Sequence, residues 1–146
     1  MAIRKATYME TQQILNYALD VMNEATAGHV EGSYEKAIQL ISPFLKNGGY
    51  YLIYTDGKAI QGWIGIGFSY DPYTDKTVGM IPELFVLPAY RNKGIAKKLC
   101  DEAIEHLKQM GYSNIQLNVF AGNPAKKLYE KLGFHEVYTL MELEVD

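Results

Sequence analysis

Residues 83–110 constrain the fold more than any other part of this chain. They run from a short apolar stretch, Glu83-Leu84-Phe85-Val86, through Leu87-Pro88-Ala89-Tyr90, into a long segment with a helical apolar period. Ile95, Ala96, Leu99, Cys100, Ala103, Ile104 and Leu107 share one face, while Lys97, Lys98, Asp101, Glu102, Glu105 and Lys108 share the other. This spacing predicts a helix over 93–110, ended by Gly111 in left-handed backbone. A strand that feeds such a helix must bury its apolar residues against a second layer, so the pattern calls for packed helix and sheet layers.

The rest of the chain supplies more of both. Residues 3–7 read as a short strand. Thr11 offers an N-cap to a first helix on which Ile14, Leu15, Ala18, Val21, Met22 and Ala25 recur, and 28–32 break it. Ser33 caps a second helix with Tyr34, Ala37, Ile38, Ile41 and Leu45 on its apolar stripe, stopped by Asn47-Gly48-Gly49. Residues 50–54 form a strand, Asp56-Gly57 a tight hairpin turn, and 59–70 the return strand. After the polar turn 71–75, a further strand covers 78–87. Beyond the long helix come a strand over 115–120 and a helix opened by Asn123-Pro124, with Asn as cap and Pro in the first turn. Residues 134–145 supply terminal strand structure. The order β-α-α-β-β-β-α-β-α-β mixes hairpins with crossovers, which predicts one domain over 1–146 with a mixed sheet and helices on its faces.

With 146 residues, 48% of them apolar, the chain has material for one continuous core. A formal charge of −3 gives no basic surface of the kind nucleic acid requires. There is a single cysteine, Cys100, hence no internal disulfide, and its place on the apolar helix face makes it a packed thiol. His29, His106 and His135 lack metal-ligand spacing with one another or with Cys100. No apolar run approaches the ~20 residues of a membrane span. The expectation is a cytoplasmic protein with no metal, nucleic-acid partner or membrane segment.

The chemistry concentrates where the long helix begins. A helix N-terminus leaves about four N–H groups without intrahelical partners, and these attract an anion together with the helix dipole. Here the first charged residues are Arg91, Lys93 and Lys97, all basic and unfavourable at that end unless an anion is present. Gly94 clears space for close approach, and Ala96 is the next smallest choice. On spacing alone, an anion site and a merely well-capped helix stand level. The glycine-rich Gly62-Trp63-Ile64-Gly65-Ile66-Gly67 lies inside a strand with no helix following, so its glycines admit a close neighbour or a bulge instead of a phosphate.

Arg91-Asn92-Lys93-Gly94-Ile95-Ala96 resembles motif A of the GNAT superfamily of N-acetyltransferases, Q/R-x-x-G-x-G/A. Asn123-Pro124-Ala125-Lys126-Lys127-Leu128-Tyr129-Glu130-Lys131-Leu132-Gly133-Phe134 is similar to that family's motif B. The resemblance implies a single-domain α/β (α+β) fold with a mixed, mostly antiparallel sheet and a splayed parallel strand pair holding acetyl-CoA. It implies that backbone at Phe85 and Val86 meets the pantetheine arm. The N–H groups of Asn92, Lys93, Gly94, Ile95 and Ala96 would meet the pyrophosphate with Arg91 nearby, and Asn123 the pantetheine side. Pro82 would mark the family's bulge near the reacting carbonyl, or an ordinary strand start.

The implied reaction is transfer of the acetyl group to an amine, of a small molecule or a peptide N-terminus, by direct attack. A non-catalytic acyl-CoA-binding module on the same fold is the alternative. Resemblance puts the proton donor at Tyr129, which otherwise reads as a packed helix residue. Glu83 is either a base for the amine or a hydrogen-bonding structural carboxylate. Glu31, Tyr34, Tyr70 and Tyr73 are the acceptor-site candidates, suited to an ammonium through charge and cation–π contact. A homodimer through the C-terminal strands is compatible with the resemblance, although no residue pattern shows it.

Overall fold

The computed structural model describes residues 2–146. Its strands are β1 (Ala2–Lys5), β2 (Tyr50–Thr55), β3 (Ile60–Asp71), β4 (Lys76–Met80), β5 (Leu84–Val86) and β6 (Ile115–Gln116). Its helices are α1 (Tyr8–Leu15), α2 (Ala18–Ala25), α3 (Tyr34–Lys46), α4 (Ile95–Gln109) and α5 (Ala125–Lys131). The sheet runs in the order β1-β2-β3-β4-β6, and β5 also pairs with β3. All pairings are antiparallel except β4 with β6.

Strand alternation divides the core. Leu52 and Tyr54 of β2, Ile64 and Ile66 of β3, and Val86 of β5 pack with Ile95, Leu99, Cys100, Ala103 and Leu107 of α4. Their neighbours Tyr51, Ile53, Trp63 and Phe85 point the other way, onto Ile14, Val21 and Ile41 of α1 to α3. The sheet therefore carries helices on both faces, as expected.

Three features outside β6 differ from the sequence reading. The first helix starts after Thr7, not Thr11, and is two helices. The Thr7 hydroxyl accepts from Glu10 N (3.1 Å) while Glu10 Oε1 accepts from Thr7 N (2.9 Å), a reciprocal capping box that sets the start earlier. The chain then turns at Asn16 and Tyr17 before α2.

Second, the strand expected over 78–87 is broken. Met80 lies opposite Gly67 and Leu84 opposite Ile64, so one strand advances four residues while β3 advances three. This is a β-bulge at Ile81-Pro82-Glu83, where Pro82 has no N–H to donate. Gly65 accommodates it, because a Cβ there would sit 2.8 Å from Pro82 Cγ. The bulge reading of Pro82 holds, and so does the close-neighbour reading of a glycine in this strand.

Third, residues 134–146 form no strand. Val137, Tyr138, Leu140, Met141, Leu143 and Val145 are exposed. Their β propensity is high, but a strand requires a partner ladder, and none lies beside them among the described residues. Among those residues, no helix is long and apolar enough to cross a membrane.

Candidate active site

A cleft of about 730 Å³ opens between the two helical layers. One wall comes from α1 to α3, the floor from residues 80–86, and the far side from the start of α4, residues 117–125 and α5. It exists because β4 and β6 part company. They pair at Gly79 with Ile115 and Met80 with Gln116, and Ile81 N still donates to Gln116 O (3.1 Å). Beyond that point Leu117, Asn118 and Phe120 line the cleft instead of continuing the ladder. The strand expected over 115–120 is thus paired only at 115–116.

The floor presents free backbone. Gly65 N donates to Glu83 O and Leu87 N to Gln61 O, so the odd-numbered residues of this stretch face β3. Leu84 and Val86 therefore turn their backbone groups toward the cleft. This corrects the expectation for Phe85, whose backbone faces β3 while its side chain lines the cleft. Val86 O already accepts from Arg91 Nε at 2.8 Å.

Asn92 and Gly94 both adopt left-handed backbone (φ 63° and 79°), which turns 91–94 into the start of α4. No side chain caps that helix and its first turn holds no acidic residue. The orphan N–H groups of the first turn are left for an anion. A Cβ on Gly94 would meet nothing within 4 Å, so the space beside it is open to a ligand. Arg91, Asn92, Gly94, Ile95 and Ala96 line the cleft; Lys93 does not, its ammonium lying over the Tyr90 ring at 5.9 Å. These features fit a pyrophosphate.

Arg91 also makes a contact that sequence reading missed. Its guanidinium holds Glu24 of α2 with two bonds, Nη1 to Oε1 at 2.6 Å and Nη2 to Oε2 at 2.9 Å. Asn123 joins the same helix end, with Nδ2 donating to Ala25 O (3.2 Å) and Oδ1 accepting from Ala125 N at the start of α5 (2.9 Å). The C-terminus of α2 thus bridges the two sides of the cleft.

Glu83 lies on the floor. Trp63 Nε1 donates to its Oε2 at 2.8 Å and Tyr51 Oη to its Oε1 at 3.2 Å. Burial pushes its pKa above the usual carboxylate range, and the two hydrogen bonds offset part of that rise. Trp63 carries no sequence signal that marks it as a site residue. Alternation in β2 and β3 puts Tyr51 and Trp63 on the Glu83 side, but their registry to residue 83 is long-range. Tyr129 lines the opposite part of the cleft, is 9% exposed, and packs edge-on against Phe134 at 6.0 Å. Burial, with Cys100 nearby, raises its pKa, so the phenol holds its proton at neutral pH. The Cys100 thiol is likewise pushed up, to about 12, chiefly by burial.

The four expected acceptor residues do not come to this cleft. Glu31 sits in the exposed loop before α3, and Tyr34 opens α3 at 47% exposure. Tyr70 donates to Asp75 at the far end of the β3–β4 hairpin, and Tyr73 is 84% exposed beside Tyr138. None lines the cleft, because the hairpin tip and the α2–α3 loop lie outside its walls. Among the described residues, no group of three or more His, Cys, Asp or Glu could hold a metal ion.

The model of the Acetyltransferase (GNAT) family matches residues 14–134, a span that includes every wall of the cleft. The chain belongs to this family. Over 52 residues it is 42% identical to the [ribosomal protein bS18]-alanine N-acetyltransferase of Haemophilus influenzae, covering 36% of each chain. Over 85 residues it is 34% identical to the N-acetyltransferase YycN of Bacillus subtilis, covering 58% of this chain and 53% of that one. The matched region thus spans about a third to a half of these relatives' own length.

Among solved structures, one from Pyrococcus furiosus ascribed to an acetyl transferase superposes with a TM-score of 0.83 at 22% identity over 99% of both chains. The aminoglycoside 6′-N-acetyltransferase AAC(6′)-IG of Acinetobacter haemolyticus gives 0.71 at 18% identity over 100% and 99%. A Clostridium acetobutylicum acetyltransferase with acetyl-CoA gives 0.72 at 21% identity over 98% and 95%. At these identities the structures establish that this GNAT chain shares their fold.

Proposed function

We propose that this GNAT chain transfers the acetyl group of acetyl-CoA to a primary amine by direct attack. The reading rests on one observation: an uncapped helix N-terminus, a half-buried carboxylate and a protonated tyrosine line a single cleft. First-turn N–H groups of α4, with Arg91, would hold the pyrophosphate, and Leu84 and Val86 backbone the pantetheine arm. When bound, acetyl-CoA supplies a thioester whose acyl carbon is open to an amine.

Glu83 takes the proton that the amine must lose, directly or through a water. Its raised pKa makes it a better base than an ordinary carboxylate, while the Trp63 and Tyr51 hydrogen bonds hold it in place. The Tyr129 hydroxyl donates a proton to the departing sulfur. Asn123 helps define the pantetheine side through the α2–α5 bridge.

Thermal-shift titration with acetyl-CoA, CoA and ATP, followed by thiol release over an amine panel, tests the reading. Stabilisation by both CoA species with amine-dependent thiol release is expected. Absence of a shift with CoA species removes the cofactor assignment. A shift without turnover on any amine leaves the acyl-CoA-binding module as the function.

A further inference from the structure

The cleft's walls differ sharply in character, and the difference bears on the acceptor. On the side of α1 to α3 the lining includes Ile14, Leu15, Ala18, Met22, Leu40 and Ile41, and it is apolar apart from Glu24 and Thr26 at the C-terminal end of α2. The charged residues lining the whole cleft are Glu24, Glu83, Arg91 and Lys97. Glu24 lies beside Arg91, held through both oxygens at the α4 end of the cleft, where the pyrophosphate is proposed to sit. Arg91 and Lys97 both belong to the α4 end. Glu83 is left as the carboxylate without a cationic partner, at the foot of the apolar wall.

We infer that the acceptor is a singly charged primary amine carried on an apolar body, and not a polycation such as a polyamine or an aminoglycoside. This deepens the acetyl-transfer reading and rests on it. A second or third ammonium entering this lobe would lose water and find no carboxylate to replace it, a transfer that is strongly unfavourable. The carboxylates of Glu31, Glu35, Asp71 and Asp75 lie outside the cleft lining. An alkyl or aryl body instead covers Ile14, Leu40 and Ile41 and gains with every methylene removed from water. A single amine then meets the single free carboxylate. The fold shared with an aminoglycoside acetyltransferase does not carry that enzyme's acceptor to this chain, since sites vary on common folds. The same chemistry is offered by a free amine or by a peptide N-terminus with an apolar first residue.

The test is acetyl-CoA-dependent thiol release by the full chain. The acceptors are propyl-, pentyl- and heptylamine, phenethylamine, peptides beginning with Leu or Phe, spermidine and kanamycin. The alkylamines share one basicity, so their series isolates apolar contact. We expect kcat/KM to rise roughly threefold to fourfold per methylene, with spermidine and kanamycin about 100-fold below the best monoamine. The ratio of peptide to alkylamine turnover identifies the source. Leu40 is 60% exposed, so Leu40→Glu should fold, and it should lower heptylamine turnover while raising that of spermidine. A flat alkyl series, or polycations matching the monoamines, overturns the inference but leaves acetyl transfer standing. Turnover of no amine is met by a second measurement, heptylamine binding to the CoA-saturated chain; if that fails as well, the inference falls. Failure of CoA to bind removes the parent reading instead.

Discussion

Trp63 and Glu83 are joined by a 2.8 Å hydrogen bond from the indole N–H to Oε2, made at the bulge between β4 and β5. Because the donor favours the charged carboxylate, it lowers a pKa that burial has raised. Removing it in Trp63→Phe should move the acidic limb of the pH profile of kcat/KM to higher pH. The measurement is the shift of that limb between wild type and variant with one amine; an unmoved limb would take Glu83 out of the base role.

Glu83 also links activity to stability. Its folded pKa lies above the unfolded value, so its contribution to stability is present at low pH and is lost as pH rises through the folded pKa. Glu83→Gln carries no such dependence. The Tm of the variant relative to wild type should therefore climb from pH 5 to pH 8, while kcat falls by roughly 10²–10⁴-fold. Parallel Tm curves across that range would contradict the raised pKa.

Tyr129→Phe should lower kcat by roughly the 10²–10⁴-fold typical of general acid–base groups. Its CoA affinity should stay at the wild-type level, since the ring and its packing on Phe134 remain. Single-turnover thiol release and a CoA titration separate the two. Full activity would assign Tyr129 to the core alone.

Gly94 distinguishes backbone strain from ligand clash. With φ at 79°, any side chain there is strained, at about 1–2 kcal/mol. Nothing in the protein would touch the new Cβ. Gly94→Ala and Gly94→Leu, neither branched at Cβ, should thus lose similar stability in urea melts, whereas CoA affinity should fall further in Gly94→Leu. Equal affinities in the two variants would remove the phosphate from this loop.

Glu24 competes for the guanidinium proposed to meet the pyrophosphate. Both side chains are partly exposed, so the pair is worth no more than about 1 kcal/mol. Glu24→Gln should tighten CoA binding by up to about fivefold at low salt, and the gain should fade as ionic strength rises. Weaker binding at low salt would show that Glu24 positions Arg91 instead of occupying it.

What the sequence revealed followed how local each signal was. The α4 stripe, Gly94 and the turn from Asn123 into α5 are set by neighbours within one or two turns and are legible in the sequence. The split of α1 from α2 was missed because the continuous apolar spacing hides the turn at Asn16 and Tyr17. Glu31, Tyr34, Tyr70 and Tyr73 have the chemistry of an ammonium site, but chemistry without position could not place them outside the cleft. The Trp63–Glu83–Tyr51 and Glu24–Arg91 contacts join residues between 20 and 67 positions apart, beyond any periodicity. The terminal alternation at 134–145 was legible as strand propensity, yet a propensity cannot supply the missing partner.

The bulge at Ile81-Pro82-Glu83 acts as a parity switch. Before it, odd-numbered residues face α4: a Cβ on Gly79 would touch Leu107, and Ile81 packs in the α4 core. After it, even-numbered Leu84 and Val86 take that side, and odd-numbered Glu83 and Phe85 face α1 to α3. An uninterrupted ladder would aim the Glu83 carboxylate into the hydrocarbon beneath α4, away from both Trp63 and the apolar wall. The orientation of the one unpaired acid in the cleft is thus decided by counting: the extra residue between Met80 and Leu84 sets Glu83 opposite Gly65, on the side of α1 to α3.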